Sequence, residues 1–444
     1  MSLGLTSLRL LLLQAAFAYT SVRAQAQNGT RDIQWGPCEI NGSPPFECGN
    51  VSVPLDYTSP DSTELGIELI KYTASKQPSK GSILINFGGP GASGQQLMVT
   101  LGPVMQAVTG GYYDLISFDP SAAERINATF QNSRASGNAS DTTLGRLWAS
   151  GENLATACYD NGKDIGGLLG FSFAARDYLR IAEMLNEDGL LRYYGLSGGT
   201  VLGATIAAMF PDRIERMVLD GVWNIHEYYR SHGAIEGFTS TDATFSALLA
   251  ACIAAGPASC ALAAHDPNAT AASLETATYA LIQRVKYSPI PHADTLLDYT
   301  TVRNAIFLGQ TTLSLWPAVA AFLDALLFPS PHSPAQLDAA LAVLQTAEDP
   351  VFTENRFGIQ CGDKRVRAER LEDVVPDVEA VSALSRLAGD RIAFDIAACA
   401  RWKMDAREVY EGGFGDVATR HPVLVIGNTL DPVTPLVSAR NASM

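Results

Sequence analysis

Residues 190–200 read LLRYYGLSGGT, an apolar strand pattern that breaks at Gly195-Leu196-Ser197-Gly198-Gly199. The break fits G-x-S-x-G, a sharp strand-to-helix turn that lifts a serine hydroxyl clear of a sheet, its glycines allowing strained backbone and close packing. Gly occupies 38 of 444 positions, and with serine near ~7% roughly 0.2 chance matches are expected. The motif alone is therefore weak, and a glycine-rich helix start with a capping serine would share it. Its surroundings decide. A strand precedes it, a small-residue helix over 200–209 follows with Pro211 just behind, and 216–219 reads as one more buried strand. Ser197 is the expected nucleophile.

Upstream, 82–87 (SILINF) and 113–118 (YDLISF) are short, nearly continuous apolar runs, the pattern of buried strands. Residues 66–72 (GIELIKY) alternate as a half-exposed strand does. Helical spacing runs over 173–187 through Ala174, Tyr178, Ile181 and Leu185, closed by Gly189. Strands alternating with helices predict an α/β fold, a mostly parallel sheet covered on both faces. The segment 35–57, rich in Pro, Gly, Asn and Cys, is expected to be irregular. From 223 to 420 apolar residues recur every three or four positions, at 245–253, 274–285, 315–327 and 337–344, with Ser333-Pro334 as a helix start. The pattern predicts a large helical insertion, after which 421–427 (HPVLVIG) resumes a buried strand. The expected organisation is a leader over 1–26, the first part of the core over 27–222, a helical cap over 223–420 and the start of a C-terminal core segment over 421–444.

Acyl transfer at Ser197 would need backbone N–H groups aimed at the developing oxyanion. One comes from the residue after the nucleophile, Gly198. The other comes from a glycine-rich loop behind an earlier strand, and Asn86-Phe87-Gly88-Gly89-Pro90-Gly91 suggests Gly89; a plain turn is the alternative. The acid that orients the base belongs at the end of a later strand. Asp431, in GNTLDPVTP over 427–435, is favoured over Asp220, with a merely turn-forming aspartate as the bland reading for either. The base is the difficulty. Serine, acid, histidine is the expected order, yet the thirteen residues after Asp431 contain no histidine. His226, His232, His265, His292, His332 and His421 are each assigned a surface or structural role. The C-terminal end of the core is therefore expected to be missing, and the chain to be a poor catalyst of acyl transfer. An exposed sheet edge would also favour association.

The stretch 193–222 (YYGLSGGTVLGATIAAMFPDRIERMVLDGV), the loop NFGGPGASG and the end GNTLDPVTP resemble the tripeptidyl aminopeptidase-like serine peptidases, relatives of the proline iminopeptidases. The resemblance covers most of the chain. It implies an α/β-hydrolase core with a large helical cap, Ser197 as nucleophile, Asp431 as acid, and Gly89 with Gly198 as the oxyanion hole. It also implies release of short peptides from free N-termini, with peptides as partners and neither a metal nor a cofactor. Two departures touch substrate preference and loop order. The family's bulky residue after the serine, often Tyr, is Gly198 here, and its Asp-Pro-Arg-Gly loop reads Asp119-Pro120-Ser121-Ala122-Ala123. A free amine calls for a carboxylate in the cap; Glu354, Asp363 and Asp395 qualify, and nothing in the sequence selects among them. A secreted esterase or lipase would use the same parts, and a catalytically dead binding protein would keep them without use.

A net charge of −15 argues against a nucleic-acid partner. Arg9, the apolar run over 10–18 and Ala24-Gln25-Ala26 read as a secretory leader, too short for the ~20 apolar residues that cross a bilayer. No later segment reads as a membrane span, so a soluble extracellular protein is expected. Sequons at Asn28, Asn41, Asn50, Asn127, Asn138, Asn268 and Asn441 agree with export. So do seven cysteines without Cys-x-x-Cys spacing, which read as disulfides. Cys38–Cys48 and Cys252–Cys260 close short loops, Cys361 and Cys399 are the next pair, and Cys158 is left over. Relatives carry a Gly-His-Cys stretch at the catalytic histidine, which would supply the partner of Cys158.

Overall fold

A computed structural model describes residues 33–38, 46–119, 135–266, 268–344 and 350–443. The leader over 1–26 and the sequons at Asn28, Asn41 and Asn127 lie outside the described residues.

Among the described residues ten strands form: β1 (Gly36–Pro37), β2 (Phe46–Pro54), β3 (Glu64–Tyr72), β4 (Ser82–Asn86), β5 (Asp114–Phe118), β6 (Leu191–Leu196), β7 (Ile214–Asp220), β8 (Ile290–His292), β9 (Thr295–Leu297) and β10 (Val423–Ile426). Eight make one sheet in the order β1-β2-β3-β5-β4-β6-β7-β10, and β8 pairs with β9 separately. From β5 to β10 every neighbouring pair is parallel, while β1, β2 and β3 run antiparallel. The segment 35–57, expected to be irregular, supplies the nine-residue β2. Its turn-forming composition hides an alternation in which Val51 and Val53 are buried and Asn50 and Ser52 exposed.

Fourteen helices accompany the described strands. The sheet is flanked by α1 (Gly94–Val108), α2 (Thr143–Gly166), α3 (Phe171–Met184) and α4 (Gly198–Met209). Between β7 and β10 run α5 (Ile225–Arg230), α6 (Thr241–Ala255), α7 (Ala271–Tyr287), α8 (Tyr299–Gln310), α9 (Trp316–Leu327), α10 (Ser333–Leu344), α11 (Pro350–Asp363), α12 (Val375–Leu384) and α13 (Ala393–Ala400). A last helix, α14 (Leu436–Ala442), follows β10. This is the α/β-hydrolase arrangement, a mostly parallel sheet with helices on its faces and a long helical excursion before its last described strand.

Helix α4 decides where the site lies. All of Gly198–Ala207 is buried, so this helix packs on every side, and its small residues let it lie close to the sheet. A Cβ added to Gly203 would stand 2.5 Å from Leu219 of β7. The apolar side chains gather in three clusters, of which the smallest, with Ile85, Met98 and Leu115, joins α1 to the sheet. Of the larger two, one joins the sheet with α2, α3, α4 and residues of 357–404, including Phe357, Phe394 and Trp402. The other is built from α6 to α10, including Phe245, Ile282, Val302 and Phe322. By length and composition, 236–255 could cross a membrane, contrary to the expectation for the segments after the leader. Its Phe245, Leu248 and Leu249 are buried in the second cluster, which gives that apolarity a use in packing.

Candidate functional site

The parallel register brings four strand ends together. Asn86 pairs with Gly195, Leu196 with Asp220, and Asp220 with Ile426. The loops leaving β4, β6, β7 and β10 therefore open at one edge, the carboxyl end of the strands, where ligands bind in open α/β sheets.

Ser197 turns there from β6 into α4 with φ 51° and ψ −120°, a backbone that costs a non-glycine residue on the order of 1–3 kcal/mol. Its N–H donates to the Asp220 carbonyl at 3.1 Å. Its carbonyl accepts the Thr200 hydroxyl at 2.6 Å, and that hydroxyl accepts the Trp223 N–H at 3.1 Å. The turn is thus tied both to β7 and to the chain beyond it, and Ser197 is half-buried.

The glycine-rich loop lies directly on this turn. A Cβ on Gly198 would meet the Gly89 carbonyl oxygen at 2.6 Å, and one on Gly88 would meet the Leu196 oxygen at 2.7 Å and Ser197 Cβ at 3.0 Å. Only glycine permits that approach, and Gly88 and Gly89 also have φ of 108° and 111°. Asn86 shapes the loop. Its Oδ1 accepts the Gly88 N–H at 3.0 Å, and its Nδ2 donates to the buried Tyr178 hydroxyl at 3.2 Å. The Gly88 N–H is therefore already used within the loop, which leaves the choice of Gly89 as loop donor intact. At the far end of the loop, Asp119 accepts the Ser93 hydroxyl at 2.9 Å and the Gly94 N–H at 2.5 Å. No motif announced Asn86 or Asp119 as loop supports; a polar residue ending a buried strand was the available signal.

Asp431 lies in the turn after β10, half-buried. Its Oδ1 accepts the N–H groups of Val433 and Thr434 at 2.9 and 2.7 Å, and its Oδ2 accepts the Thr434 hydroxyl at 3.0 Å. With room for about four donors on a carboxylate, Oδ2 retains capacity for another. A Cβ on Gly221 would stand 3.1 Å from Thr434 Oγ1 and 3.9 Å from Ser197 N. The elbow and the threonine that holds Asp431 therefore flank one glycine. The rival Asp220 is engaged otherwise: its Oδ2 accepts the Tyr194 hydroxyl at 2.8 Å. Burial first, then this bond, pushes the Tyr194 hydroxyl well above its usual range.

The histidines have other partners. His232 bonds Asp377 at 2.8 Å, His265 bonds Asp324 at 2.6 Å, His292 bonds Asp338 at 2.9 Å, and His421 lies 3.3 Å from Glu215. His226 packs edge-on against Phe414, and the backbone N–H of His332 donates to Ser330. Among the described residues, no histidine hydrogen-bonds Ser197 or Asp431. Of the cap carboxylates, Asp363 is fully buried beneath Tyr228, and the Glu354 side chain lies outside the description. Asp395 pairs with Arg356 at 2.6 Å, and the Arg356 backbone nitrogen would stand 2.7 Å from a Cβ on Gly91. Asp395 is thus tied to a segment that abuts the glycine loop.

Three disulfides join Cys38–Cys48, Cys252–Cys260 and Cys361–Cys399, and Cys158 is buried on α2. Among the described residues, no group of three His, Cys, Asp or Glu side chains could hold a metal ion.

Residues 385–444 match the family described as TAP-like protein. Tripeptidyl aminopeptidase of Streptomyces coelicolor is 31% identical over 219 residues, which cover 45% of this chain and 40% of that one. Serine protease Hip1 of Mycobacterium tuberculosis is 30% identical over 206 residues, 43% of this chain and 39% of that one. These matches span about 40% of the relatives' own length. Esterase E22, a solved structure, aligns over 90% of each chain at 12% identity with a TM-score of 0.32. The resemblance to the tripeptidyl aminopeptidase-like serine peptidases is borne out as a similarity over part of the chain, on an α/β-hydrolase fold.

Proposed function

We propose that the chain is a secreted serine hydrolase of the aminopeptidase type. In this reading Ser197 forms the acyl-enzyme, Gly89 and Gly198 donate to the oxyanion, Asp431 is the acid, and short peptides leave from free N-termini. The carrying observation is the shared strand edge that gathers the elbow, the glycine loop and the Asp431 turn. Export is supported by three disulfides and by sequon residues Asn50, Asn138 and Asn268 that are exposed. At the remaining described sequon, the Asn441 amide donates to Glu236. Among the described residues no histidine hydrogen-bonds Ser197 or Asp431, and in that arrangement Ser197 keeps an unactivated hydroxyl and the leaving amine lacks a proton donor.

The test compares p-nitrophenyl acetate with matched free and N-acetylated peptide anilides, using the chain and its Ser197→Ala variant. Expected are acetylation of the chain that the variant loses, preference for free N-termini, and peptide turnover on the order of 10⁴-fold or more below a complete triad. No Ser197-dependent acetylation would sink the enzyme reading. Equal cleavage of free and blocked peptides would sink the exopeptidase assignment, and fast ester turnover with peptides untouched would favour an esterase. Peptide turnover of about 1 per second would mean that one of the six histidines serves as base.

A further inference from the structure

Ser197 is the N-cap residue of α4. A serine in that position ordinarily spends its hydroxyl on a backbone N–H of the first helical turn, which satisfies one of the helix's orphan donors. A nucleophile that did so would tie up the oxygen that has to react. Here Ser197 makes no side-chain capping bond. The N–H of Thr200 donates instead to the Ser197 carbonyl at 2.9 Å, and the Thr200 hydroxyl donates to the same oxygen at 2.6 Å. One threonine therefore fastens the turn that the serine side chain leaves unfastened.

What it grips is one end of a peptide plane. The Ser197 carbonyl and the Gly198 N–H belong to the same planar unit and point in opposite directions across it. Fixing the carbonyl thus fixes the direction of the N–H that is proposed as an oxyanion donor. The Thr200 hydroxyl is itself anchored, since it accepts the Trp223 N–H at 3.1 Å, and Thr200 is fully buried. On the other side of the turn the Ser197 N–H donates to the Asp220 carbonyl at 3.1 Å. Ser197 has φ of 51°, and a backbone of that kind persists only where its surroundings over-determine it.

We propose that Thr200 is a positioning residue for acyl transfer, an inference that rests on the reading of Ser197 as nucleophile and Gly198 as oxyanion donor. Buried beneath the elbow, Thr200 touches no substrate. Its hydroxyl locks the peptide between Ser197 and Gly198, so that the serine oxygen stays free of capping and the Gly198 N–H stays aimed. Without that hydroxyl the Ser197 carbonyl keeps the Thr200 N–H alone, and the Trp223 N–H loses its acceptor.

Thr200→Val keeps the shape and removes the hydroxyl, while Thr200→Ser keeps the hydroxyl. Thr205→Val is the control. Thr205 lies further along α4, is equally buried, and bonds the Val201 carbonyl at 2.8 Å and the Tyr229 hydroxyl at 2.7 Å, neither of them in the elbow. Acetylation of Ser197 by p-nitrophenyl acetate is followed by mass spectrometry over a range of ester concentrations, beside the melting temperature of each chain. Both valine variants should melt at lower temperature. Only Thr200→Val should slow the maximal acetylation rate, by about tenfold or more, with the half-saturating ester concentration unchanged, and Thr200→Ser should restore it. Should Thr200→Val not fold, Thr200→Ala removes the same hydroxyl without setting a methyl against the carbonyl and carries the same expectation. Acetylation as fast in the hydroxyl-less variant as in the parent, or slowed equally by Thr205→Val, overturns the positioning role and leaves the hydrolase reading standing. A parent chain that is not acetylated at Ser197 overturns both.

Discussion

At Gly198 two backbones meet with no space for a side chain, since an added Cβ would stand 2.6 Å from the Gly89 carbonyl oxygen. Backbone on both sides of that contact cannot swing away as a flexible side chain would, so the glycine loop must shift. Gly198→Ala should therefore lose about 1–3 kcal/mol of stability and, with the proposed oxyanion donors displaced, acylate Ser197 at least ~10-fold more slowly. Denaturant unfolding and timed mass spectrometry of the acetylated chain read the two effects. Gly413→Ala, where an added Cβ meets nothing within 4 Å, should change neither. The elbow was legible because a strained nucleophile turn needs glycine at fixed offsets from serine, a purely local demand. Asp431 and Asp220 were harder to separate, since each ends a strand. What distinguishes them is the Tyr194 hydroxyl on Asp220, a contact between neighbouring strands that only the assembled sheet brings about, whereas the Thr434 hydroxyl on Asp431 is local to its turn.

Around α5 the packing buries three ionisable groups at once. Lys364 Nζ donates to the carbonyls of Glu227, Tyr228 and Ser231 at 3.3, 2.6 and 2.7 Å, closing the helix's C-terminus. Asp363 beside it accepts the Tyr228 hydroxyl at 2.8 Å and the Phe171 N–H. Burial pushes Asp363 up from 3.8 to about 7 and Glu227 up from 4.5 to about 7, and pushes Lys364 down from 10.5 to about 7. Between the ordinary and raised values of the two acids, the folded chain holds protons that the unfolded chain has released. Stability from these groups is therefore full below pH about 4 and falls as pH rises to about 7. For Lys364 the unfolded chain binds the extra proton, so its contribution recovers from pH about 7 towards 10.5. Urea unfolding across that range should show the fall, and Asp363→Asn, which keeps a hydrogen-bond acceptor, should flatten it. An unchanged slope in the variant would remove Asp363 as its source. A second buried pair makes a sharper demand. Arg303 and Asp390 are 2% and 1% exposed, and Asp390→Ala, which strands the guanidinium, should cost about 3–5 kcal/mol in the same assay. Helices also differed in how readily the sequence announced them. The starts of α10 at Ser333-Pro334 and of α4 behind the elbow were read, whereas the 24 residues of α2 were not. Gly151 in α2 would place a Cβ 2.7 Å from the Ala397 carbonyl carbon, so glycine stands there for closeness to α13 at the expense of helix propensity.

Over the whole molecule, apolar periodicity across 223–420 marks which face of each helix is buried but carries no record of what covers it. The structure divides that segment between two clusters. Helices α6 to α10 pack on one another, while residues 357–404 pack into the cluster that holds the sheet. Leu387, within 357–404, inserts into the helices' cluster, and polar contacts add to that joint. Asp242 of α6 accepts the Ser385 hydroxyl and the N–H groups of Arg386 and Leu387 at 2.6, 2.9 and 3.2 Å, and Arg303 of α8 reaches Asp390. Each cluster has a disulfide of its own. Cys361–Cys399 closes 38 residues within the sheet's cluster, and Cys252–Cys260 closes 8 within the other. Loop-closure entropy makes the longer bridge worth roughly 4 kcal/mol and the shorter roughly 2.5. Because the longer bridge ties α11 to α13, which pack in the cluster that holds the sheet, its loss should act on the unit that bears the Ser197 edge. Replacing Cys361 and Cys399 together by Ser should lower the unfolding free energy by about 3–4 kcal/mol and slow the acetylation of Ser197. The same replacement at Cys252 and Cys260 should cost less and leave acetylation unchanged. If the shorter bridge proved the costlier, or if its removal slowed acetylation equally, the two clusters would be a single cooperative unit.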